Sequence, residues 1–311
     1  MTRRRLLVAG MSLAAALAGV GAATFHATSA EAAPVLEIGR AHAEYAPILT
    51  GRKPVFILIL GSDARPGTPI AEGLCDSIQI LGINPKAGRA SLVGIPRDAY
   101  VSLSTGGQGK INSAMPRGGP QAMVETVEDL TGIRFAYYAL TGFDGLTRLL
   151  NAVGGIEIDV PYSFEGFELT MFDEGRQTLT GAQALEYTRT RKSLAHGDFD
   201  RSMNQGRILV AAFEQFRSQF EKDASMLFRW LAAGLRNVDT DVSLDELIRL
   251  AFTASRIGPD RVTNLVAVGG IGSAGDISTV VLPNPHPMFE DVAADGYVLA
   301  RDIPADAQPA D

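Results

Sequence analysis

Val55-Phe56-Ile57-Leu58-Ile59-Leu60-Gly61-Ser62-Asp63 is the stretch on which the fold turns. Six apolar residues stand in an unbroken row, closed by a glycine, a hydroxyl and a carboxylate. A row of that kind suits a strand covered on both faces, as in the central sheet of a layered domain. Outward from it, residues 77–83 and 90–95 read as further strands, 135–140 as an aromatic strand and 156–160 as a short one ending at Pro161. Helical spacing marks 120–130, with Pro120 in the first turn, and 143–153, stopped by Gly154-Gly155. A short helix over 180–185 and a strand over 187–191 follow. Three helices come next, over 199–220, 226–235 and 244–256. Ser243 and Glu246 form a capping box for the last of them. Residues 262–268 and 278–282 read as closing strands. Strands alternating with helices define an α/β layered protein.

The remainder of the chain frames that domain. Arg3-Arg4-Arg5 precedes an Ala-rich apolar run from Leu6 to Thr24, and Ala30-Glu31-Ala32 follows as a small-residue site. This is the pattern of a secretory signal, with Thr2-Arg3-Arg4-Arg5-Leu6-Leu7 also reading as a twin-arginine signal. The run is also about long enough for a retained membrane anchor, which needs roughly 20 residues. Either reading places the rest of the chain outside the cytoplasm. Residues 34–53 read as a linker, 54–290 as the catalytic domain and 291–311 as a disordered tail rich in Pro, Ala and Asp. The formal net charge is −7, the reverse of the basic surplus that a nucleic-acid binder carries, and there is no helix-turn-helix pattern. Cys75 is the one cysteine and the four histidines form no close pair, so a His/Cys zinc site is disfavoured. Oxygen-liganded cations remain open.

The densest cluster of chemistry-bearing residues runs from 187 to 205. Tyr187, Arg189 and Arg191 alternate, so a strand puts them on one face about 7 Å apart. Two guanidinium groups at that spacing call for an anion between them. Asp198, Arg201 and Gln205 share one face of a helix. Such a set suits phosphate or pyrophosphate, because arginine forks match phosphate oxygens and keep their charge. A solvated helix face with an ordinary Asp198–Arg201 ion pair is the competing reading. Three smaller signals sit at strand ends: Asp63, Asp76, and Arg97-Asp98 after Ile95-Pro96. Lys110-Ile111-Asn112-Ser113-Ala114 adds a further positive charge, and Gly118-Gly119 before a helix offers N–H groups to an anion. Each has a structural explanation of its own, such as turn capping. There is no G-x-S-x-G elbow, and Cys75 reads as a small buried residue.

Taken in order, these segments resemble the LytR-CpsA-Psr family of envelope phosphotransferases. The matching stretches are 59–63, 75–78, 94–98, Lys110 to Ala114, Gly154 to Asp159, Leu179 to Leu185 and Tyr187 to Gln205. The resemblance implies a three-layer α/β/α domain with a central mixed sheet. It also implies a polyprenyl-pyrophosphate-linked glycan donor, Mg²⁺, and transfer of a phosphoglycan to peptidoglycan or another envelope acceptor at the membrane surface. Carried over by motif, Asp63 and Asp76 hold the metal. Arg97, Arg189, Arg191 and Arg201 bind the pyrophosphate and carry catalysis, with Asp198 and Gln205 orienting them or touching the head group and Lys110 adding charge. The apolar segments between Phe135 and Leu150 are expected to line a groove for the lipid tail. One position departs from the pattern: the family usually carries an arginine two residues before the aspartate at 76, and here Leu74 stands there. A lipid-pyrophosphate hydrolase or a non-catalytic binder fits the same residues, and a purely structural envelope protein predicts that the arginines scatter.

Overall fold

In a computed structural model the described residues are 36–42, 53–65, 67–235 and 238–299. The signal or anchor segment, most of the linker after His42 and the tail beyond residue 299 lie outside them. In chain order the strands are β1 Leu36–Arg40, β2 Val55–Ser62, β3 Cys75–Asn84, β4 Arg89–Gly94, β5 Tyr100–Ser102, β6 Gln108–Lys110, β7 Tyr137–Gly142, β8 Ile156–Val160, β9 Phe164–Glu165, β10 Met171–Phe172, β11 Gly175–Leu179, β12 Val238–Thr240, β13 Val262–Val266, β14 Gly270–Ala274 and β15 Ile277–Val281. The helices are α1 Met115–Thr131, α2 Phe143–Ala152, α3 Gly181–Arg189, α4 Asp198–Lys222, α5 Met226–Leu235, α6 Leu244–Ser255 and α7 Pro287–Asp295.

The central sheet has seven strands in the order β12-β1-β7-β2-β3-β4-β13. β2 pairs antiparallel with β3 and parallel with β7, and β4 pairs parallel with β13, so the sheet is mixed as expected. β2 lies near its middle, which is why its sequence is apolar on both faces. Leu58 and Leu60 are 0% and 1% exposed and pack with Met123, Val124 and Val127 of α1 and Phe289 and Val292 of α7. Ile57 points the other way, toward Phe213 of α4 and Leu247 and Leu250 of α6. Helices therefore cover both faces, giving the α/β/α layers.

Two boundaries differ from expectation. Leu36–Arg40, read as linker, is a strand held along its whole length by β7. Its alternation is short and holds Glu37 and Gly39, so the sequence shows little strand signal there; partners elsewhere in the chain supply the pairing. At the other end, 291–295 continue α7, and Val292 and Val298 are 0% and 2% exposed, so the disordered tail does not begin at 291. The capping box Ser243–Glu246 is present as read. Gly118 and Gly119 break α1, with Gly119 at φ 68°, and Pro120 restarts it.

A second, smaller core stands beside the sheet. It joins Leu150, Ile158, Leu179, Ala184, Tyr187 and Ile208 with the aromatic pair Phe164 and Phe172. This platform carries α3 against α2, and the approach is close. A Cβ on Gly181 would stand 2.2 Å from the carbonyl oxygen of Thr147. Gly181→Ala is accordingly expected to destabilise the protein by about 1–3 kcal/mol, as overpacking does, read as a lower urea midpoint.

Candidate active site

Residues 187–191 do not form the expected strand. Thr180 caps a helix by accepting from Gln183 N–H, the Gln183 side chain returns the bond, and α3 runs on through Arg189. Ala184, Leu185 and Glu186 are good helix formers, and the alternating threonines that suggest a strand do not outweigh a capped start. Two residues on a helix are about 200° apart, so Tyr187 and Arg189 part company. Tyr187 is buried among Phe164 and Phe172, and burial pushes its hydroxyl up to about 12. Arg189 faces out over a cleft.

That cleft, about 670 Å³, opens at the carboxyl ends of β2, β4 and β7. Asp76, Arg97, Arg189, Arg191, Arg201 and Gln205 all line it. The structure thus brings together all four arginines that the sequence singled out. Arg97 Nη1 lies 2.5 Å from Asp76 Oδ1 and its Nε 3.9 Å from Asp198 Oδ1. Arg201 Nη2 lies 2.5 Å from the same Asp198 oxygen. This last contact is close yet poorly aimed: both Asp198 oxygens and the Nε atoms of Arg97 and Arg201 are buried without a hydrogen-bond partner. Burial works against the charge on Arg97, but Asp76, Asp198 and Asp98 outweigh it and raise its pKa. For Arg201 burial wins over Asp198 and lowers it. Four guanidinium groups against Asp76 and Asp198 leave the cleft with a positive surplus, and the buried Nε donors are satisfied if an anion's oxygens enter.

The remaining parts hold these groups in place. Gln205 Nε2 donates to the carbonyls of Asp76, at 3.1 Å, and Thr188, at 3.3 Å. It ties α4 to the start of β3 and the end of α3, a positioning role. Arg189 is stacked between Phe143, 4.3 Å from its guanidinium carbon, and Phe167, at 4.9 Å. Glu186, 4% exposed, accepts from Glu168 N–H at 2.7 Å and from the N–H and hydroxyl of Thr170. It thereby anchors the loop that carries Phe167. The sequence reading missed Glu186 and Phe167, and the stacking of Phe143 on Arg189; the available signal for Glu186 was a carboxylate wedged between Leu185 and Tyr187 on a helix with an inward face. Glu186→Ala leaves these donors without an acceptor and is expected to cost about 1–3 kcal/mol, measurable by chemical denaturation.

Lys110 stands apart: its Nζ pairs with Asp98 at 2.8 Å, and it does not line the cleft. The structure therefore does not bring Lys110 together with the four arginines on the cleft wall. Asp98, just before β5, pairs with Lys110 and also acts on Arg97, whose direct partner is Asp76. Gly118 and Gly119 are likewise absent from the cleft wall. Asp63 follows Ser62, a wall residue, and is not itself part of the wall. Its Oδ1 accepts from Leu74 N–H at 2.7 Å, and Leu74, 39% exposed, is not a cleft residue. Asp63 and Asp76 both act on the Cys75 thiol between them, which burial first of all pushes up and out of the reactive range. Among the described residues no cluster of three or more His, Cys, Asp or Glu forms a ready-made metal cage. Of the expected lipid groove between 135 and 150, Thr141, Gly142, Phe143 and Leu146 do line the cleft, joined by Ile59, Leu185, Ile208 and Leu209. Phe135 is wholly buried in the main core.

An α/β/α scaffold thus carries an arginine cluster at its strand ends with an apolar wall beside it. The chain belongs to the LytR-CpsA-Psr family, whose model (LytR_cpsA_psr) matches residues 22–278. It is 32% identical over 226 residues to the polyisoprenyl-teichoic acid–peptidoglycan teichoic acid transferase TagV of Bacillus subtilis, covering 68% of this chain and 57% of that protein. It is 31% identical to the corresponding TagU of Enterococcus faecalis, covering 66% of this chain and 67% of that one. The matched region thus spans between about half and two thirds of these relatives. The crystal structure of B. subtilis TagV aligns with a TM-score of 0.64 at 29% identity, over 78% of this chain and 95% of that one. A structure described as TagT bound to LI-WTA gives 0.64 at 23% identity, over 82% and 92%, a likeness of fold.

Proposed function

We propose that this protein is an extracytoplasmic phosphotransferase that moves a phosphoglycan from a polyprenyl-pyrophosphate donor to peptidoglycan or a similar envelope acceptor. The observation that carries this reading is the convergence of Arg97, Arg189, Arg191 and Arg201 on one cleft whose other wall is apolar. The names of TagV and TagU, both transferases that act from a polyisoprenyl carrier onto peptidoglycan, point the same way. The arginines grip the pyrophosphate, and Phe143, Leu146, Ile208 and Leu209 receive the first isoprene units. An acceptor hydroxyl attacks the phosphorus bonded to the glycan. The bond from that phosphorus to the bridging oxygen breaks, the hydroxyl proton passes to a carboxylate of the site, and the lipid leaves as its monophosphate. Phosphoryl transfer of this kind is driven by positioning and charge neutralisation, and fixed guanidinium groups supply both.

Asp63 and Asp76 are the carboxylates that would hold a magnesium ion; both lie close enough to the Cys75 thiol to act on it. Each commits Oδ1 to a partner, Leu74 N–H and Arg97 respectively, which leaves an Oδ2 as a hard oxygen ligand. Two protein carboxylates completed by water and substrate oxygens are the usual set for Mg²⁺. When bound, the ion adds charge neutralisation at the pyrophosphate. Asp76→Ala is expected to abolish activity together with the response to added Mg²⁺; an activity that still rises with Mg²⁺ as in the wild type contradicts the metal role. The transfer itself is tested with the full chain, a polyprenyl-pyrophosphate glycan, Mg²⁺ and peptidoglycan fragments, followed by mass spectrometry. Lipid monophosphate with a glycan-phosphate adduct on the acceptor is the expected result. Lipid monophosphate with free glycan phosphate makes the protein a hydrolase, and an unchanged donor defeats the reading.

A further inference from the structure

The hairpin β9–β10 and its loop, residues 164–172, present an unusual surface beside the cleft. Phe164 and Phe172 face inward and build the second core, whereas Phe167, Leu169 and Met171 are 49%, 76% and 54% exposed. Phe167 and Leu169 form part of the cleft rim, next to Arg189, Arg191 and Lys192. Leu169 has φ 67°, the one non-glycine among the described residues in the left-handed region. That conformation is disfavoured for leucine. It is held from below: Glu186 takes the Glu168 and Thr170 N–H groups, Gly166 N–H donates to Thr170 O at 2.8 Å, and Leu169 N–H to Gly166 O at 3.1 Å. Gly166 itself has no room for a side chain, since a Cβ there would meet Glu186 Oε1 at 2.2 Å. A buried carboxylate thus props an apolar loop out into solvent.

We infer that this loop seats the mouth of the cleft in the headgroup region of a phospholipid bilayer. The apolar tips reach the acyl boundary and carry the binding; Arg189, Arg191 and Lys192 at the rim meet lipid phosphates, while the exposed carboxylates Glu165, Glu168, Asp173 and Glu174 of the same hairpin offset much of that attraction. The path of the chain agrees. Leu36 pairs with Thr141, which lines the cleft, so β1 enters the sheet at the cleft end. The apolar run Leu6–Thr24 is separated from Leu36 by residues 25–35, whose extended reach is at most about 40 Å. A segment held in a membrane by that run therefore keeps the cleft end within reach of the same surface. The inference rests on the reading that the donor is a lipid, and it explains how such a donor enters without leaving the bilayer.

The test uses position-specific fluorescence on the full chain. Cys75 is the single cysteine and is buried, so Leu169→Cys, Met171→Cys and, at the opposite end of the sheet in the β3–β4 turn, Lys86→Cys each give one labelling site. Met171 lies outside the cleft wall and reads the loop even if the Leu169 variant misfolds. Each labelled protein is mixed with vesicles of equal phosphatidylglycerol and phosphatidylethanolamine, with nitroxide-bearing lipid as one quencher and iodide as the other. The dyes at 169 and 171 are expected to shift to the blue, to be quenched by the nitroxide lipid and to lose iodide quenching several-fold, while the dye at 86 keeps its iodide quenching. Loop dyes as open to iodide as the dye at 86 overturn the inference. So do loop dyes shielded from both quenchers, which would show a second copy of the chain on the loop. Because the readout is independent of turnover, lipid quenching without any donor turnover would leave the seating intact and remove the lipid-transferase reading instead.

Discussion

Arg189→Ala and Arg191→Ala are each expected to lower donor turnover by roughly 10²–10³-fold, the usual effect of removing one fixed donor from the charge that develops in a transition state. Both side chains are exposed and both line the cleft. Arg189 makes its stacking contacts with Phe143 and Phe167, worth about 0.5–1 kcal/mol at an exposed site. The folded state therefore loses little in either variant, and the urea midpoint should stay near that of the wild type. The combination of lost turnover and kept stability separates a binding role from a structural one. Arg189→Lys is also instructive: a lysine keeps the charge but gives up the planar stack and the fork, so it should recover only part of the rate.

Arg201→Ala should behave in the opposite way on stability. Arg201 is 5% exposed and Asp198 7%, and the two face each other inside the protein. Removing one partner of a buried pair leaves the other charge without compensation, at a cost of about 3–5 kcal/mol. Arg97 stands 3.9 Å from the same Asp198 oxygen and offsets part of that cost. Chemical denaturation of Arg201→Ala and of the double variant Arg201→Ala/Asp198→Asn checks the argument. The double variant, which removes the stranded charge, should regain part of the loss; equal destabilisation of both would mean that packing rather than charge sets the cost.

Much of the fold and of the site is legible in the amino-acid sequence. Residues 55–60 suit an interior strand, because a row of apolar side chains without polar alternation has no wet face to offer. The motifs at 94–98 and 198–205 contain two arginines, Arg97 and Arg201, that the fold brings to one cleft, because an arginine without an anion is costly beside other arginines and such clustering is visible in sequence. What stays hidden depends on partners distant in the chain. Leu36–Arg40 becomes a strand through β7, about a hundred residues away. Tyr187 and Arg189 would share one face of a strand but stand on opposite sides of a helix, and the Thr180–Gln183 cap favours the helix. Lys110 looks like one more cation, but its partner is Asp98, just before the strand that pairs with it. Glu186 is invisible as a prop because its partners lie in a loop that carries no motif of its own.

The central claim is that these arginines form a pyrophosphate site, and the direct measurement is equilibrium binding of a short-chain isoprenyl pyrophosphate to the full chain across a range of salt. The wild type should bind, more weakly as salt rises, since screening acts on an exposed charge cluster. The Arg189→Ala/Arg191→Ala protein should bind at least about 100-fold more weakly, a change of about 2.7 kcal/mol. Equal affinity in the two proteins, or affinity indifferent to salt in the wild type, would contradict the account.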